Sequence, residues 1–299
     1  MSNIIFVGDV HLKGSSPISR KDDYPEVILN KIKYIADYAE EIGCKHILFL
    51  GDIFDTVNTS LQYFSYALSV FKNIRDRGIG LYTIVGNHDI RYESLDSLPT
   101  TPLGILVKSN IISLLDTLEV DDVRIVGCHY SKDPEQNKYT NNYSILLLHK
   151  FYEAGFGEVP LTREDTINLG YDTYILGHDH KPYSTQVIRD GLKTIQIYRT
   201  GSLARNSSDQ YNRIRVPRFL VFNTDDKSYE YVNVQAESGF DIFFEQQAEQ
   251  ETISMKELVD YLKSSYHTSD STLRDYINEA PIPDDVRQLI DTYLNILGA

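Results

Sequence analysis

The chain has 299 residues, 41% hydrophobic and 24% charged, which is the balance of a globular protein with room for one large domain and a small appendage. No apolar stretch is long enough to span a bilayer, and the first residues run straight into an apolar strand without the basic start of a signal peptide. A net charge of −14 argues against a surface that binds polyanions everywhere, and two scattered cysteines, Cys44 and Cys128, read as reduced thiols in a cytoplasmic protein (host cytoplasm if phage-encoded).

In chain order, residues 3–7 are a short apolar run suited to a buried strand. From Tyr24 to Ile42 the spacing of Ile28, Ile32, Ile35, Ala36 and Ala39 predicts a helix that stops at Gly43. A second strand follows over 46–50, a second helix over 60–77 ending at Gly78, and a third strand over 81–85. This β-α-β-α-β order predicts parallel strands with covering helices. After Asn110 strands dominate: 123–127, 144–149 and 173–176, then 183–188, 193–198, 219–222 and 229–234, the last four reading as a meander. The fold class expected is α/β, a two-sheet αββα sandwich over residues 1–240. Residues 241–254 read as a polar Glu/Gln linker and 255–299 as a short C-terminal helical appendage. Charge is uneven: from Asp241 onward four bases face twelve acids, a net of −8 that leaves −6 for residues 1–240.

Five stretches carry hard metal ligands, each after an apolar run and so at the end of a strand. They are Gly8-Asp9-Val10-His11, Gly51-Asp52-Ile53-Phe54-Asp55, Gly86-Asn87-His88-Asp89, His149 after three leucines, and Gly177-His178-Asp179-His180. One aspartate after a strand is usually a cap or turn residue, and one histidine is usually structural; His46 and His267 read that way, while His129 stays open between a structural or surface residue and a role near the site. Five such stretches in order are another matter. Two divalent ions about 3.5–4 Å apart can clamp the attacking and leaving oxygens of a phosphoryl centre. Asp52, at the end of the central strand, is the expected bridge. Asp9, His11 and His180 are expected on one ion, and Asn87, His149 and His178 on the other. His88 is the candidate to protonate the leaving oxygen, and Asp55 the carboxylate that would fix its tautomer. These ligand types suit Mn²⁺ and equally Mg²⁺, Fe, Zn or Co.

The pattern D-x-H, G-D-x-x-D, G-N-H-D, H, G-H-x-H resembles the calcineurin-like metallophosphoesterases, with every position filled between residue 3 and about 235. Phosphoprotein phosphatases of that superfamily carry Arg and Glu where this chain has Thr56 and Asp89. The flanking residues, including Gly177-His178-Asp179-His180-Lys181-Pro182 and Thr200-Gly201-Ser202, resemble the Mre11/SbcD nuclease branch and its phage relatives. That resemblance implies a Mn²⁺-dependent exonuclease and endonuclease acting on DNA in repair or recombination, partnered by a Rad50/SbcC-like ATPase. It also implies a homodimer built on helices near 60–77 and after Asp89, the second of them interrupted by Pro99 and Pro102. The helix carrying Leu289, Tyr293 and Leu297 would either dock the partner or pack on its own domain.

Basic residues cluster at Arg199, Arg205, Arg213, Arg215 and Arg218; such a run is usually a solvated loop, yet its place after the last motif makes Arg199, Arg205 and Arg213 candidates for phosphate contact. Two rival readings use the same fold. A small-molecule phosphodiesterase or nucleotide pyrophosphatase needs identical ligands. A non-catalytic scaffold should have lost some, and none is missing.

Overall fold

A computed structural model describes residues 2–138, 142–154 and 158–245. The expected C-terminal helices, and most of the expected linker, lie outside them. The first compact unit ends at Phe244, with Ile242 and Phe243 buried in it, so it reaches past residue 240 into the span expected as linker.

The elements in order are β1 (Asn3–Val7), α1 (Tyr24–Glu41), β2 (His46–Phe49), α2 (Leu61–Asp76), β3 (Gly80–Thr83), α3 (Pro102–Lys108), β4 (Ser113–Leu114), β5 (Thr117–Val120) and β6 (Val123–Cys128). They continue with β7 (Tyr143–His149), α4 (Arg163–Leu169), β8 (Thr173–Gly177), β9 (Gln186–Asp190), β10 (Lys193–Arg199), α5 (Gln210–Ile214), β11 (Arg218–Asn223), β12 (Tyr229–Asn233) and α6 (Gly239–Ile242). Helix starts follow capping chemistry: Asp23 and Ser60 accept the Glu26 and Tyr63 amides at the heads of α1 and α2. Pro102 does not break a helix. It occupies the first turn of α3, where its missing N–H costs nothing, while Pro99 sits inside a 3₁₀ run over Leu95–Thr100.

Two mixed sheets of six strands form the sandwich, in the orders β12-β11-β1-β2-β3-β4 and β5-β6-β7-β8-β10-β9. Strands β1, β2 and β3 run parallel in the first, and β6, β7, β8 and β10 in the second. Their central strands are buried on both faces, which is why they read as unbroken apolar runs. Alternation divides each strand between layers. Ile4 and Phe6 face the second sheet, where they join Ile145, Leu147 and Ile175. Ile5 and Val7 face α1 and α2, packing with Ile28, Ile32 and Phe71. Leu146, Leu148 and Leu176 meet Leu161 and Leu169 on the far face of the second sheet.

The last four strands are not one meander. β9 and β10 pair with each other and sit at the edge of the second sheet, whereas β11 returns to the first sheet antiparallel to β1. Chain adjacency suggested neighbours, but the available partner for an apolar strand such as β11 was the open edge of β1. Much of the abundant tyrosine is interior packing: Tyr198 stacks on Tyr229 at 4.3 Å and Tyr143 on Phe222 at 5.9 Å between ring centroids. No helix among the described residues is long and apolar enough to cross a membrane.

The predicted arginine cluster is absorbed by the fold. Arg215 donates to the carbonyls of Ser202 and Ala204, Arg20 to that of Arg205, and Lys31 to that of Leu203 at 2.6 Å. Arg205, 2% exposed, reaches the Glu237 carbonyl, and Arg213 reaches the carbonyls of Ser208 and Phe244. Arg199 is buried, with its guanidinium 3.6 Å from the centroid of the Tyr183 ring. Arg199, Arg205 and Arg213, expected to face a phosphate backbone, are engaged within the protein by these contacts. Arg205, Arg213 and Arg215 bind main-chain carbonyls because an irregular buried segment must have its C=O groups satisfied. Arg215, Lys31 and Arg20 hold the turn under Asp9, where the Ser202 hydroxyl and the Leu203 amide donate to the Asp9 carbonyl at 2.9 Å.

Candidate functional site

Parallel strands bring their C-terminal ends to one edge of the sandwich, the usual place for a site in open α/β sheets. Beyond β1, β2 and β3 lie Asp9 and His11, Asp52 and Asp55, and Asn87 and His88. His149 ends β7, and His178 and His180 follow β8. All seven expected ligands converge there. The two sheets approach closely, since a Cβ on Gly177 would lie 2.4 Å from the Leu50 carbonyl; within the first sheet, one on Gly86 would lie 2.1 Å from Asp52 Oδ1.

Asp52 stands at the centre. Its Oδ1 accepts the His88 amide at 2.9 Å, while Oδ2 has no hydrogen-bond partner. That oxygen lies 3.3 Å from His149 Nε2 on one side and 3.8 Å from His11 Nε2 on the other. On the first side, His149 Nε2 is 3.0 Å from Asn87 Oδ1 and 3.1 Å from His178 Nδ1. On the second, His11 Nε2 is 2.9 Å from His180 Nε2, and Asp9 Oδ2 lies 3.9 Å from the same nitrogen of His180. The triplets Asp9-His11-His180, His11-Asp52-His88 and Asp52-His149-His178 each bring their donor atoms within 4.8 Å of one another.

Backbone strain gathers at the same residues. His11, Asp52 and His178 take φ of 50°, 49° and 81°, a left-handed region costly for side chains of this kind. What compensates is a set of main-chain and carboxylate contacts. Val10 and His11 amides donate to the Asp52 carbonyl, and the His178 amide donates to both Asp9 oxygens at 3.1 Å. Asp89, assigned no role from sequence, accepts the Asp52, Ile53 and Gly86 amides at 2.9, 3.1 and 3.0 Å and so ties the second stretch to the third.

Charge in the cluster is out of balance. Burial pushes Asp9 up, and burial with the neighbouring Asp52 charge pushes Asp89 up to about 7. Burial lowers His11 to about 3. At His149 burial opposes a proton, but the Asp52 and Asp9 carboxylates outweigh it and raise the ring to about 10. Burial also opposes ionisation of Asp52, yet the imidazoles of His149, His11 and His88 hold it below the usual carboxylate range. A buried carboxylate oxygen without a partner, facing imidazoles that compete for a proton, is the environment that divalent cations neutralise. Two carboxylates, four imidazoles and one amide oxygen form a donor set that fits two such ions.

Two of the imidazoles are oriented from behind by main-chain carbonyls. His149 Nδ1 meets the Leu50 carbonyl at 2.7 Å, and His88 Nδ1 meets the Asp55 carbonyl at 2.6 Å. The expectation for Asp55 is thus corrected: its main-chain carbonyl, not its carboxylate, sets the His88 tautomer. The carboxylate instead pairs with Lys13 at 3.0 Å and lies 3.7 Å from His11 Nδ1. His178 Nε2 lies 3.2 Å from Glu158, a residue in a loop outside the five stretches. His129 is a brace: its Nδ1 accepts the Val85 amide at 3.1 Å, one residue before Gly86. A signal for Asp89 existed in the Gly86-Asn87-His88-Asp89 stretch itself. None existed for Glu158, which sequence places in a polar loop. Beside the centre opens a cavity of about 260 Å³ lined by Tyr130, Lys132, His149, Lys150 and Glu158.

The calcineurin-like phosphoesterase family profile matches residues 2–182. Among characterised and uncharacterised proteins, the chain is similar to the uncharacterized metallophosphoesterase YhaO of Bacillus subtilis, 25% identical over 89% of this chain and 64% of that one. It is similar to the DNA double-strand break repair protein Mre11 of Methanocaldococcus jannaschii, 26% identical over 54% of this chain and 47% of that one. It also resembles exonuclease subunit 1 of Enterobacteria phage T4, 32% identical over 38% of this chain and 32% of that one. The chain spans less than two thirds of the length of each of these relatives.

Proposed function

Because the chain belongs to the calcineurin-like phosphoesterase family, we propose that it is a dinuclear-metal phosphodiesterase whose substrate is DNA, working with a coiled-coil ATPase partner. The observation that carries the hydrolytic reading is Asp52 Oδ2, buried, unpartnered, and flanked on either side by a ligand group. Asp9, His11 and His180 would hold one ion, Asn87, His149 and His178 the other, with Asp52 shared. Bound there, the ions would polarise the phosphoryl oxygens and neutralise the charge that develops on them. The neutral Asn87 amide adds a ligand without adding charge, which leaves the centre able to receive a phosphodiester anion.

The chain's own groups supply the rest. His88, held through Nδ1 by the Asp55 carbonyl, presents Nε2 to the centre, from which its imidazolium form would deliver a proton to the leaving oxygen. Lys13 neutralises Asp55 beside it. The similarity to a DNA double-strand break repair protein and to a phage exonuclease subunit supports DNA as substrate, and the ATPase partner rests on the resemblance of the flanking residues to the Mre11/SbcD branch.

A small phosphodiester or nucleotide is the second reading. One observation favours it: the arginines expected to meet a DNA backbone are buried or bound to carbonyls. Purified protein with Mn²⁺ should be assayed on linear duplex DNA, single-stranded DNA and bis-p-nitrophenyl phosphate. Degradation of DNA supports the first reading; hydrolysis of the small ester alone defeats it. Binding of no Mn²⁺ at all would sink both.

A further inference from the structure

His149 and His88 are each oriented by a main-chain carbonyl, a contact no side-chain substitution removes. His178 is different. Its Nδ1 faces His149 Nε2 and the ligand group, and its opposite nitrogen, Nε2, is buried. The nearby acceptor is the Glu158 carboxylate, whose Oε2 lies 3.2 Å away but off the N–H direction. Glu158 is itself held, since Tyr130 donates its hydroxyl to Oε1 at 3.1 Å. Phe151 closes the ring's other side, its centroid 4.3 Å from that of His178, so the imidazole has little freedom to flip.

We infer that Glu158, steadied by Tyr130, is a positioning residue that keeps the His178 proton on Nε2 and leaves the Nδ1 lone pair aimed at the Asn87-His149 side of the centre. A carboxylate behind a histidine ligand fixes its tautomer and raises its basicity, and losing such a partner typically weakens metal affinity about 10–100-fold. Glu158 is one-third exposed and lines the cavity beside the centre, so variants at this position are open to solvent.

The inference rests on the dinuclear reading for its consequence but not for its geometry, and the test separates the two. Glu158→Ala and Glu158→Gln of the full chain are titrated with Mn²⁺ by calorimetry, and the tautomer of His178 is read from long-range ¹H–¹⁵N spectra of metal-free protein. Glu158→Ala is expected to weaken one of the two ions by about 10–100-fold, leave the other within about threefold, and populate the Nδ1–H tautomer of His178. Glu158→Gln, which keeps a carbonyl acceptor, is expected to restore affinity to within about threefold of wild type. Wild-type affinity at both ions in the alanine variant, an unchanged His178 tautomer, or no rescue by glutamine would overturn it. If wild-type protein takes up no Mn²⁺ while the spectra still respond to Glu158→Ala, the metal reading fails and the positioning contact stands.

Discussion

Gly86→Ala is a test in which a single methyl group reaches the centre. Gly86 has φ −96° and ψ 174°, an extended conformation open to alanine, so the substitution carries no dihedral penalty. It should even gain about 0.4–1 kcal/mol through the unfolded chain. The obstacle is steric. The new Cβ would lie 2.1 Å from Asp52 Oδ1, 2.5 Å from the Asp52 amide nitrogen and 2.8 Å from its Cγ. Ordinary carbon–oxygen contact needs more than 3 Å, so something must move by about 1 Å. The carboxylate can swing away, but the Asp52 amide, tied to Asp89, must shift with it. The carboxylate then loses the His88 amide, a bond to a charged acceptor worth about 1.5–3 kcal/mol. Residual overpacking adds about 1–3 kcal/mol. Net destabilisation should be about 2–5 kcal/mol by urea unfolding of metal-free protein. A shift of this size in the shared carboxylate should also cost about 100-fold in phosphodiester turnover. A Gly86→Ala protein within 0.5 kcal/mol of wild type (~0.5 being the usual surface-substitution range), with Mn²⁺ affinity intact, would refute the claim that Asp52 is packed in place by this glycine.

Three further outcomes are expected. His88→Ala should lower kcat about 10²–10⁴-fold on esters with poor leaving groups and much less on p-nitrophenyl esters, with both Mn²⁺ ions retained; equal losses on the two ester classes would remove His88 as the proton donor. Arg215→Met should destabilise by about 2–4 kcal/mol, because the carbonyls of Ser202 and Ala204 lose their buried donor. The same variant should leave the slope of log affinity for DNA against log salt unchanged, and a slope reduced by about 1 would place Arg215 in phosphate contact. Lys31 bears on pH. Burial, reinforced by Arg205, Arg20 and Arg215, lowers its ammonium well below the usual 10.5, so across that window the unfolded chain binds the extra proton and stability from this group rises with pH. The stability difference between wild type and Lys31→Met should therefore shift in favour of wild type as pH increases towards 10.5. A difference that does not vary with pH in urea unfolding would contradict it.

Much of the centre could be read from the linear chain. Asp9, His11, Asp52, Asn87, His149, His178 and His180 each follow an apolar strand, and strand ends in parallel sheets must converge. Such local patterning also marked α1, α2 and the double-faced burial of β1, β2, β7 and β8. What the pattern could not carry was anything decided by distant partners. Strand β11 reads like the others but pairs with β1, because an open sheet edge took it. The arginines after the last motif look like a phosphate-binding run, yet Arg20 and Lys31, far away in sequence, join them in binding the carbonyls under Asp9. Asp55 was expected to act through its carboxylate, but the turn after β2 presents its carbonyl to His88 and sends the carboxylate to Lys13.

The division has a physical cause. Hydrophobic period and the order of ligand-bearing stretches are local properties, so residue identity alone determined the chemistry this chain is equipped for and the sheet architecture that presents it. The second layer of contacts depends on which carbonyl, carboxylate or ring comes within about 3 Å after two sheets pack. Tertiary structure alone decided that Asp89 would tie two ligand loops together. It likewise put Glu158 behind His178 and left Asp52 Oδ2 bare between two groups of ligands.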